Sequence, residues 1–522
     1  MIIYANSLFN SFVGDDFAQV RNNQSVHSIW NIPSLFTKGA FSKGAFNENA
    51  EINYYKPLLS STFALIYFFS RENPLGFHLI QILIHITNSV LIYLIFRYFF
   101  QKGMSIFLSL LFLTHPFNTE AVIYISNLQD PLFSLFGLLA LYVSTRKHKS
   151  THTTSLVTGL LTMSLLSKET GVAFLLIIPV FNYLNNKKNK KEAIYNGLLQ
   201  SSLALLTYAF LRFAVAQVSF PQIIIVPIQT LSFWERVIHI PKMVFFYIST
   251  FVYPKDLVVY QSWTIKSLTL QNFYIPLLAD TLFFSGIILF GLLIYRKYRG
   301  LFKRLLFFLL WFSIGLGLHL QIIPLDQTVA DRWFYFPMIG LLGIIGVLIN
   351  YLASAIRLRS RFVIPLGLAI IILLSARVII RNSNWKDPST LYTHDLKYNQ
   401  DSYQIEYALG DFFLRQKKFN EAEQHLNNAV GLFPSTRTFN PLGSLYLKTS
   451  RFEEAVKAYE SSLKYDPNHI PSWIYLAAAK YNTGDKEGAL YAINKAYALY
   501  PSADSLKVLN AIENDRKINF QQ

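Results

Sequence analysis

The 522-residue chain contains no cysteine, which excludes structural disulfides, Cys-ligated zinc and thiol catalysis but not any particular compartment. Charge is also scarce. Only 15% of residues are Asp, Glu, Lys or Arg, against roughly 25% in a typical soluble protein. Acidic residues are the scarcer sign, 30 against 47 basic, for a formal net charge of +17. Residues 399–522 hold 14 basic and 14 acidic side chains, so the whole excess lies in the first 398. A nucleic-acid binder gathers its basic residues on a soluble face. Here they fall in short loops between apolar runs, the positive-inside pattern of a membrane protein, so nucleic acid is not expected as a partner. The opening MIIYANSLFN is mildly apolar and lacks a basic start, and no cleavable signal peptide is expected in it.

What the chain has in abundance is apolar sequence, 52% of its residues. A spanning helix needs about 20 mainly apolar residues. Candidate runs lie near Phe77–Phe96, Met104–Ala121, Leu132–Ser144, Thr154–Leu166, Gly171–Leu184, Gly197–Ala216, Leu277–Tyr295, Leu305–Ile323, Phe334–Leu352 and Phe362–Ile380, three of them short for a span and so expected to be tilted, packed inside the bundle or differently bounded. Val237–Tyr253 is interrupted by Lys242 and punctuated by Pro241 and Pro254. Basic clusters at Arg97–Lys102, Arg146–Lys149, Lys187–Lys191, Arg296–Arg304 and Arg357–Arg361 all fall on one side if Val237–Tyr253 stays on the other as a re-entrant or interfacial helix. That parse puts residues 1–76, His115–Asp130, Ser167–Thr170, Gln217–Pro276, Pro324–Trp333 and the C-terminal part on the outer face. The expected fold is all-α: a polytopic membrane bundle of about 10–11 spans over residues 1–385, then a helical solenoid.

The solenoid is read from a repeat. Pro434, Pro467 and Pro501, like Ala422, Ala455 and Ala489, recur every 33 or 34 residues. Before these alanines stand Leu409-Gly410, Leu442-Gly443 with Tyr446, and Trp473 with Leu476. Paired helices with a small residue at the crossing and Pro at the exit are the tetratricopeptide pattern. The expected layout is a linker at 386–402, repeats at 403–435, 436–469 and 470–502, and a capping helix and tail at 503–522. Such a domain binds protein or peptide, or stiffens its neighbour; it carries no chemistry of its own.

The chemistry-bearing residues collect on the outer face. Asp15 and Asp16 are adjacent, so one can face a cavity while the other orients it; most such pairs are solvated loop residues or helix caps. His115, Glu120 and Asp130 lie between two spans, Lys168 and Glu169 between two others, and Asp331 and Arg332 directly before another. Lys56 lies in the first outer loop, and His78 and His85 share one face of the first long helix. Ionisable groups at the edge of hydrocarbon mark function unless they pair or face a cavity. The bland alternatives are interfacial ion pairs, snorkelling lysine and arginine, and histidines packed inside the bundle.

Taken together, Asn10-Ser-Phe-Val-Gly-Asp15-Asp16, Tyr55-Lys56-Pro57-Leu58, His85-Ile-Thr-Asn88, His115-Pro116, Glu120-Ala-Val, Asp130, Lys168-Glu169 and Asp331-Arg332 resemble the GT-C glycosyltransferases. Within these, the chain resembles the transmembrane, tetratricopeptide-containing protein O-mannosyltransferases and their bacterial relatives. The resemblance implies a polyprenyl- or dolichyl-phosphate sugar donor, such as a mannose donor, and a protein hydroxyl as acceptor. It makes Asp15 or Asp16 the general base and site organiser, and has Glu120 and Asp130 position the acceptor or sugar. Lys168, Arg332 and Lys56 would balance the departing lipid phosphate, supported by Glu169, Asp331, His85 and His115. Any divalent metal would fall to Asp15 and Asp16. The family commonly has Arg where this chain has Lys56 and Leu128, Glu where it has Asp331, and a spanning helix ahead of the acidic pair.

A glycosyltransferase of this kind would sit in a bacterial inner membrane or the endoplasmic reticulum, with site and repeats on the periplasmic or lumenal side. Its partners are the bilayer, the lipid-linked donor and a protein or peptide acceptor. An O-antigen ligase or polymerase-like enzyme would instead place its key basic and His residues in a large late outer loop. A transporter should show internal symmetry and mid-span polar residues, and a repeat scaffold would not need so many ionisable groups on one face.

Overall fold

The computed structural model describes residues 2–39, 54–146, 151–186, 189–219, 226–356, 360–516 and 518. Parts of three basic clusters, at 147–149, 187–188 and 357–359, and the end of the C-terminal tail lie outside the described residues. The fold is all-helical. After a run of short helical turns, the chain forms α1 (Pro57–Ser70), α2 (Pro74–Phe99), α3 (Lys102–Thr114), α4 (Gln129–Ser144), α5 (Thr151–Ser167), α6 (Val172–Asn185) and α7 (Lys190–Ala209). Next come α8 (Phe233–Val252), α9 (Ile275–Lys297), α10 (Arg299–Gly317), α11 (Tyr335–Ile356) and α12 (Ser360–Asn384). Local chemistry sets several starts: Asn73 accepts the Leu75 N–H with Pro74 in the first turn, and Ser232 and Glu235 form a reciprocal capping box.

Among the described residues, six helical stretches are long and apolar enough to cross a bilayer: Pro74–Phe99, Lys190–Val215, Leu270–Lys297, Arg299–Gly317, Asp331–Ala355 and Ile364–Asn384. Lys102–Thr114 with Pro116–Ile123 makes a seventh, bent by 49°. The chain is an integral membrane protein. The remaining expected spans, α4, α5 and α6, are shorter helices packed into the same bundle. Each packs one face against its neighbours, and Leu156 and Met163 of α5 stay exposed.

One expected span ends early, and the ambiguous segment is helical. The run Leu305–Ile323 stops being helical at Gly317; Gln321 has a left-handed backbone (φ 59°), and its side chain donates to the carbonyls of Gln327 and Thr328 at 2.6 and 3.1 Å. Val237–Val252 lies within a single helix, α8. Arg236 donates to the Gln321 carbonyl at 2.9 Å, Lys242 to Asn272 at 2.7 Å, and the carbonyl of Phe251 accepts from His115 at 2.9 Å. His239, Met243, Val244 and Tyr247 are buried, while Trp234, Val252 and Tyr253 are exposed.

The segment 386–402 is not a loose linker. It carries α13 (Pro388–Leu396), whose buried Asp395 takes two hydrogen bonds from Arg381 of α12, at 2.7 and 3.1 Å. Three antiparallel pairs follow: α14 (Tyr403–Arg415) with α15 (Phe419–Leu432), α16 (Thr436–Lys448) with α17 (Phe452–Tyr465), and α18 (Ile470–Asn482) with α19 (Lys486–Leu499). A last helix, α20 (Ala503–Glu513), closes the array. The small residues are needed for contact: a Cβ at Gly443 would lie 2.7 Å from the Tyr459 ring. Tyr403, Ile405 and Leu409 of α14 belong to the same buried apolar core as the bundle, so the repeats begin in continuous packing with it.

Candidate active site

The acidic pair sits in a turn built for divergence. Gly14 has φ +48°, and a Cβ there would lie 2.6 Å from the Tyr124 hydroxyl and 3.0 Å from those of Tyr260 and Tyr392. Three phenols thus close around this turn, and the Tyr124 oxygen accepts the Asp15 N–H at 2.7 Å. Asp16 points inward. One of its oxygens accepts the backbone N–H and hydroxyl of Ser126 at 2.7 and 2.6 Å, and the other accepts the Val13 N–H at 3.0 Å. Burial pushes Asp16 up to about 7 against the pull of those hydrogen bonds.

Asp15 points outward and is exposed, yet it is ringed by protein that withdraws it from bulk water and raises its pKa. Arg437, Arg332 and Lys56 oppose that rise and Asp326 adds to it. The charged groups that act on this open carboxylate come from three other segments of the chain.

The other residues expected from sequence assemble beside it as buried pairs. The break at His115-Pro116 starts a short helix, Thr119–Ile123, that presents Glu120. One Glu120 oxygen accepts the Arg332 N–H at 3.0 Å; the other accepts the Arg332 guanidinium at 2.5 Å and the Asn127 amide at 3.3 Å. Arg332 is also 3.9 Å from Asp326. Lys168 donates to Asp130 at 2.6 Å, both side chains buried. Glu169 accepts from Arg212 at 3.0 Å, and Arg212 donates to the Tyr208 hydroxyl at 2.7 Å. Lys56, just before α1, lies 4.2 Å from the Tyr54 ring centre. Burial lowers its pKa; Glu169, Asp326 and Asp130 work against that and Lys168 with it. Lys56 therefore shares one electrostatic neighbourhood with the Lys168–Asp130 and Arg212–Glu169 pairs.

Three residues expected to support the site lie buried in the protein interior. His85 meets the Tyr335 hydroxyl at 2.8 Å and the Leu113 carbonyl at 3.2 Å inside the bundle. His115 accepts the Phe117 N–H, donates to the Phe251 carbonyl and stacks on the Phe251 ring at 4.8 Å, which braces the helix break. Asp331 is buried behind Arg332, and among the described residues its Oδ1 has no hydrogen-bond partner. As for a metal, both Asp16 oxygens are taken by donors, which leaves only Asp15 of the pair; among the described residues no three His, Cys, Asp or Glu side chains come together as ligands.

The sequence reading missed Asp326, Arg212, the three tyrosines and Arg437. A tyrosine string carries no motif, and Arg437 lies in a repeat, where the period draws attention to the small residues.

Two family models match parts of the chain. Residues 57–211 match the family model described as dolichyl-phosphate-mannose-protein mannosyltransferase, and residues 440–504 match a tetratricopeptide repeat model. The chain resembles the protein O-mannosyl-transferases. Protein O-mannosyl-transferase TMTC3 of Homo sapiens is 24% identical over 91% of this chain and 55% of its own length. Protein O-mannosyl-transferase F38B6.6 of Caenorhabditis elegans is 23% identical over 83% of this chain and 62% of its own. Human protein O-mannosyl-transferase TMTC1 is 33% identical, over 38% of this chain and 24% of its own. The chain thus spans little more than half the length of the TMTC3 relative. The matched stretch 57–211 contains Glu120, Asp130, Lys168 and Glu169, whereas Asp15 and Arg332 lie outside it.

Proposed function

We propose that this chain is a membrane glycosyltransferase that moves a mannosyl group from a polyprenyl-phosphate donor to a hydroxyl of a protein acceptor. The observation that carries the reading is the outward Asp15 carboxylate at the end of an apolar bundle, with Arg332 and Lys56 in its field. Likeness to the protein O-mannosyl-transferases supports the same class.

In this reading Asp15 takes the proton of the acceptor hydroxyl while its oxygen bonds to the anomeric carbon. The bond from that carbon to the phosphate oxygen breaks, and the lipid phosphate leaves with the bonding electrons. A base on the acceptor side and positive charge on the leaving side are what such a displacement needs. Lys56 fits the leaving phosphate best, since Lys168 and Arg332 are already held by Asp130 and Glu120. Those two pairs are scaffolding that supplies N–H donors at fixed positions. The lipid tail would stay in the bilayer while the sugar meets an acceptor in water. The active face and the repeats are assigned to the periplasm or lumen, opposite the basic turns.

The test supplies labelled mannose on polyprenyl phosphate to the protein in proteoliposomes with a Ser- and Thr-containing protein acceptor. The proposal expects label in base-labile, O-linked form. Label transferred only from a soluble nucleotide sugar, or none with any lipid-linked sugar, would overturn it.

A further inference from the structure

The turn that carries the acidic pair is held from two sides. From the bundle, the buried Gln81 of α2 donates to the carbonyls of Ala121 and Tyr124 at 2.8 and 2.9 Å. These bonds pin the kink at Tyr124 between two short helical segments, Thr119–Ile123 and Ile125–Leu128. Residues next to that kink hold both acids: the Tyr124 hydroxyl oxygen accepts the Asp15 N–H at 2.7 Å, and Ser126 donates to Asp16. From the other side comes the segment that leads into the repeats. The Lys386 carbonyl accepts the Ser11 N–H at 2.9 Å, and the Asn382 carbonyl accepts the Asn10 amide at 3.1 Å. The Trp385 ring packs 5.5 Å from that of Tyr124. Tyr392 of α13 brings its hydroxyl to 3.0 Å from the place a Gly14 Cβ would take.

We propose that Tyr124 is a positioning residue for Asp15, and that the foot of the repeats, through Trp385 and Tyr392, holds Tyr124 and the turn in place. The inference rests on the function proposed above. A general base must meet the acceptor hydroxyl in near contact, and a displacement of about 1 Å lowers the rate about a hundredfold. The Tyr124 oxygen sits on a rigid ring, braced by Trp385 on its face and by Gln81 at its backbone, so it offers the Asp15 N–H one fixed point. The phenols of Tyr124, Tyr260 and Tyr392 fill the space beside Gly14, which confines the turn to the conformation that sends Asp15 outward and Asp16 inward. Two of those three phenols move with the repeats. Tyr392 belongs to α13, whose Asp395 accepts the Val259 N–H at 2.8 Å. Asn399 donates to the Tyr260 carbonyl at 2.9 Å, and the Ser262 hydroxyl donates to Gln404 at the start of α14. A shift of α13 against the bundle therefore reaches Asp15 through Tyr392 and Tyr260, and the segment that seats the repeats is part of the site.

The test is a double-mutant cycle on single-turnover transfer from lipid-linked mannose by the full-length protein in proteoliposomes, with wild type, Tyr124→Phe, Asp15→Asn and the double variant. Phenylalanine keeps the ring against Trp385 and removes only the oxygen. Tyr124→Phe is expected to lower the rate at saturating donor about tenfold, with the half-saturating donor concentration within about twofold of wild type. In the Asp15→Asn background it should lower the residual rate no further, because a residue that acts through the carboxylate has nothing left to position. A phenol that only satisfied a backbone N–H would give the same loss in both backgrounds, and that result overturns the assignment, as does a wild-type rate in folded Tyr124→Phe. Tyr392→Phe runs through the same cycle; a loss of about threefold that vanishes with Asp15→Asn is expected, and a wild-type rate takes the foot of the repeats out of the site. Should Tyr124→Phe fail to accumulate folded, Tyr124→Met replaces it under the same outcomes. Asp15→Asn separates the two readings. If it abolishes transfer while Tyr124→Phe is fully active, only the role of Tyr124 falls; if it leaves transfer intact, the catalytic assignment above falls too.

Discussion

Asp16 holds Ser126 with a single carboxylate oxygen, which accepts both the backbone N–H at 2.7 Å and the hydroxyl at 2.6 Å. The two residues are 110 positions apart, and this clamp decides which member of the acidic pair faces out. Each charge-assisted hydrogen bond of this kind contributes roughly 1.5–3 kcal/mol, and leaving the donors unmet costs about as much. Asp16→Ala is therefore expected to lower both stability and transfer, the first by about 2–4 kcal/mol. Asp16→Asn keeps an acceptor and should retain more of both. Thermal unfolding in detergent beside a transfer assay checks this, and an Asp16→Ala protein as stable and active as wild type would contradict the clamp.

The Glu120–Arg332 pair makes a sharper prediction about partners. Removing one member of a buried pair strands the other and costs about 3–5 kcal/mol. Glu120→Ala should thus destabilise strongly, and more than Glu120→Gln, whose carbonyl can still accept the Arg332 N–H now at 3.0 Å. Replacing both residues by apolar ones should recover part of the stability while transfer stays low. A double-mutant cycle on unfolding midpoints reads the coupling; additive losses would show that the pair is incidental.

Lys56 supplies a prediction in pH. Burial lowers its pKa below the ordinary lysine value, so it loses its charge earlier than a free lysine as pH rises. If it meets the donor phosphate, donor binding is strongest below that lowered pKa and weakens as pH climbs through it, because only the ammonium form attracts the anion. Lys56→Arg should flatten the alkaline loss, since a guanidinium stays charged, while Lys56→Met should lower affinity across the whole range. Titration of a polyprenyl phosphate into the reconstituted protein at several pH values measures both, and an alkaline loss that survives in Lys56→Arg would assign it to another group.

Much of this was legible in the sequence. Apolar runs of bilayer length marked the membrane part, and the phase of Ala422, Ala455 and Ala489 marked the repeats, because a period of 33 or 34 residues is a direct record of stacked helix pairs. The ionisable residues were also findable, since charge beside hydrocarbon is rare enough to stand out. Their pairings were harder to see. That Asp16 turns inward depends on Ser126, that Glu120 takes Arg332 rather than Lys168 depends on contacts 212 positions apart, and neither leaves a local pattern. His85 and His115 carry the same signal as the paired residues, and nothing local foretells that their partners are the Tyr335 hydroxyl and the Phe251 carbonyl. The segment 386–402 looked like a linker because its helix is short; the Arg381–Asp395 pair that fixes it joins two elements that each look unremarkable alone.

The most direct test of the central claim is one turnover from lipid-linked mannose by Asp15→Asn in the full-length protein, beside wild type. The amide keeps the shape of the turn and the N–H held by Tyr124 but cannot take a proton. The account predicts folded Asp15→Asn protein that still binds the donor and transfers at least about a hundredfold more slowly, as expected for loss of a general base. Transfer within a few-fold of wild type by folded Asp15→Asn would contradict it.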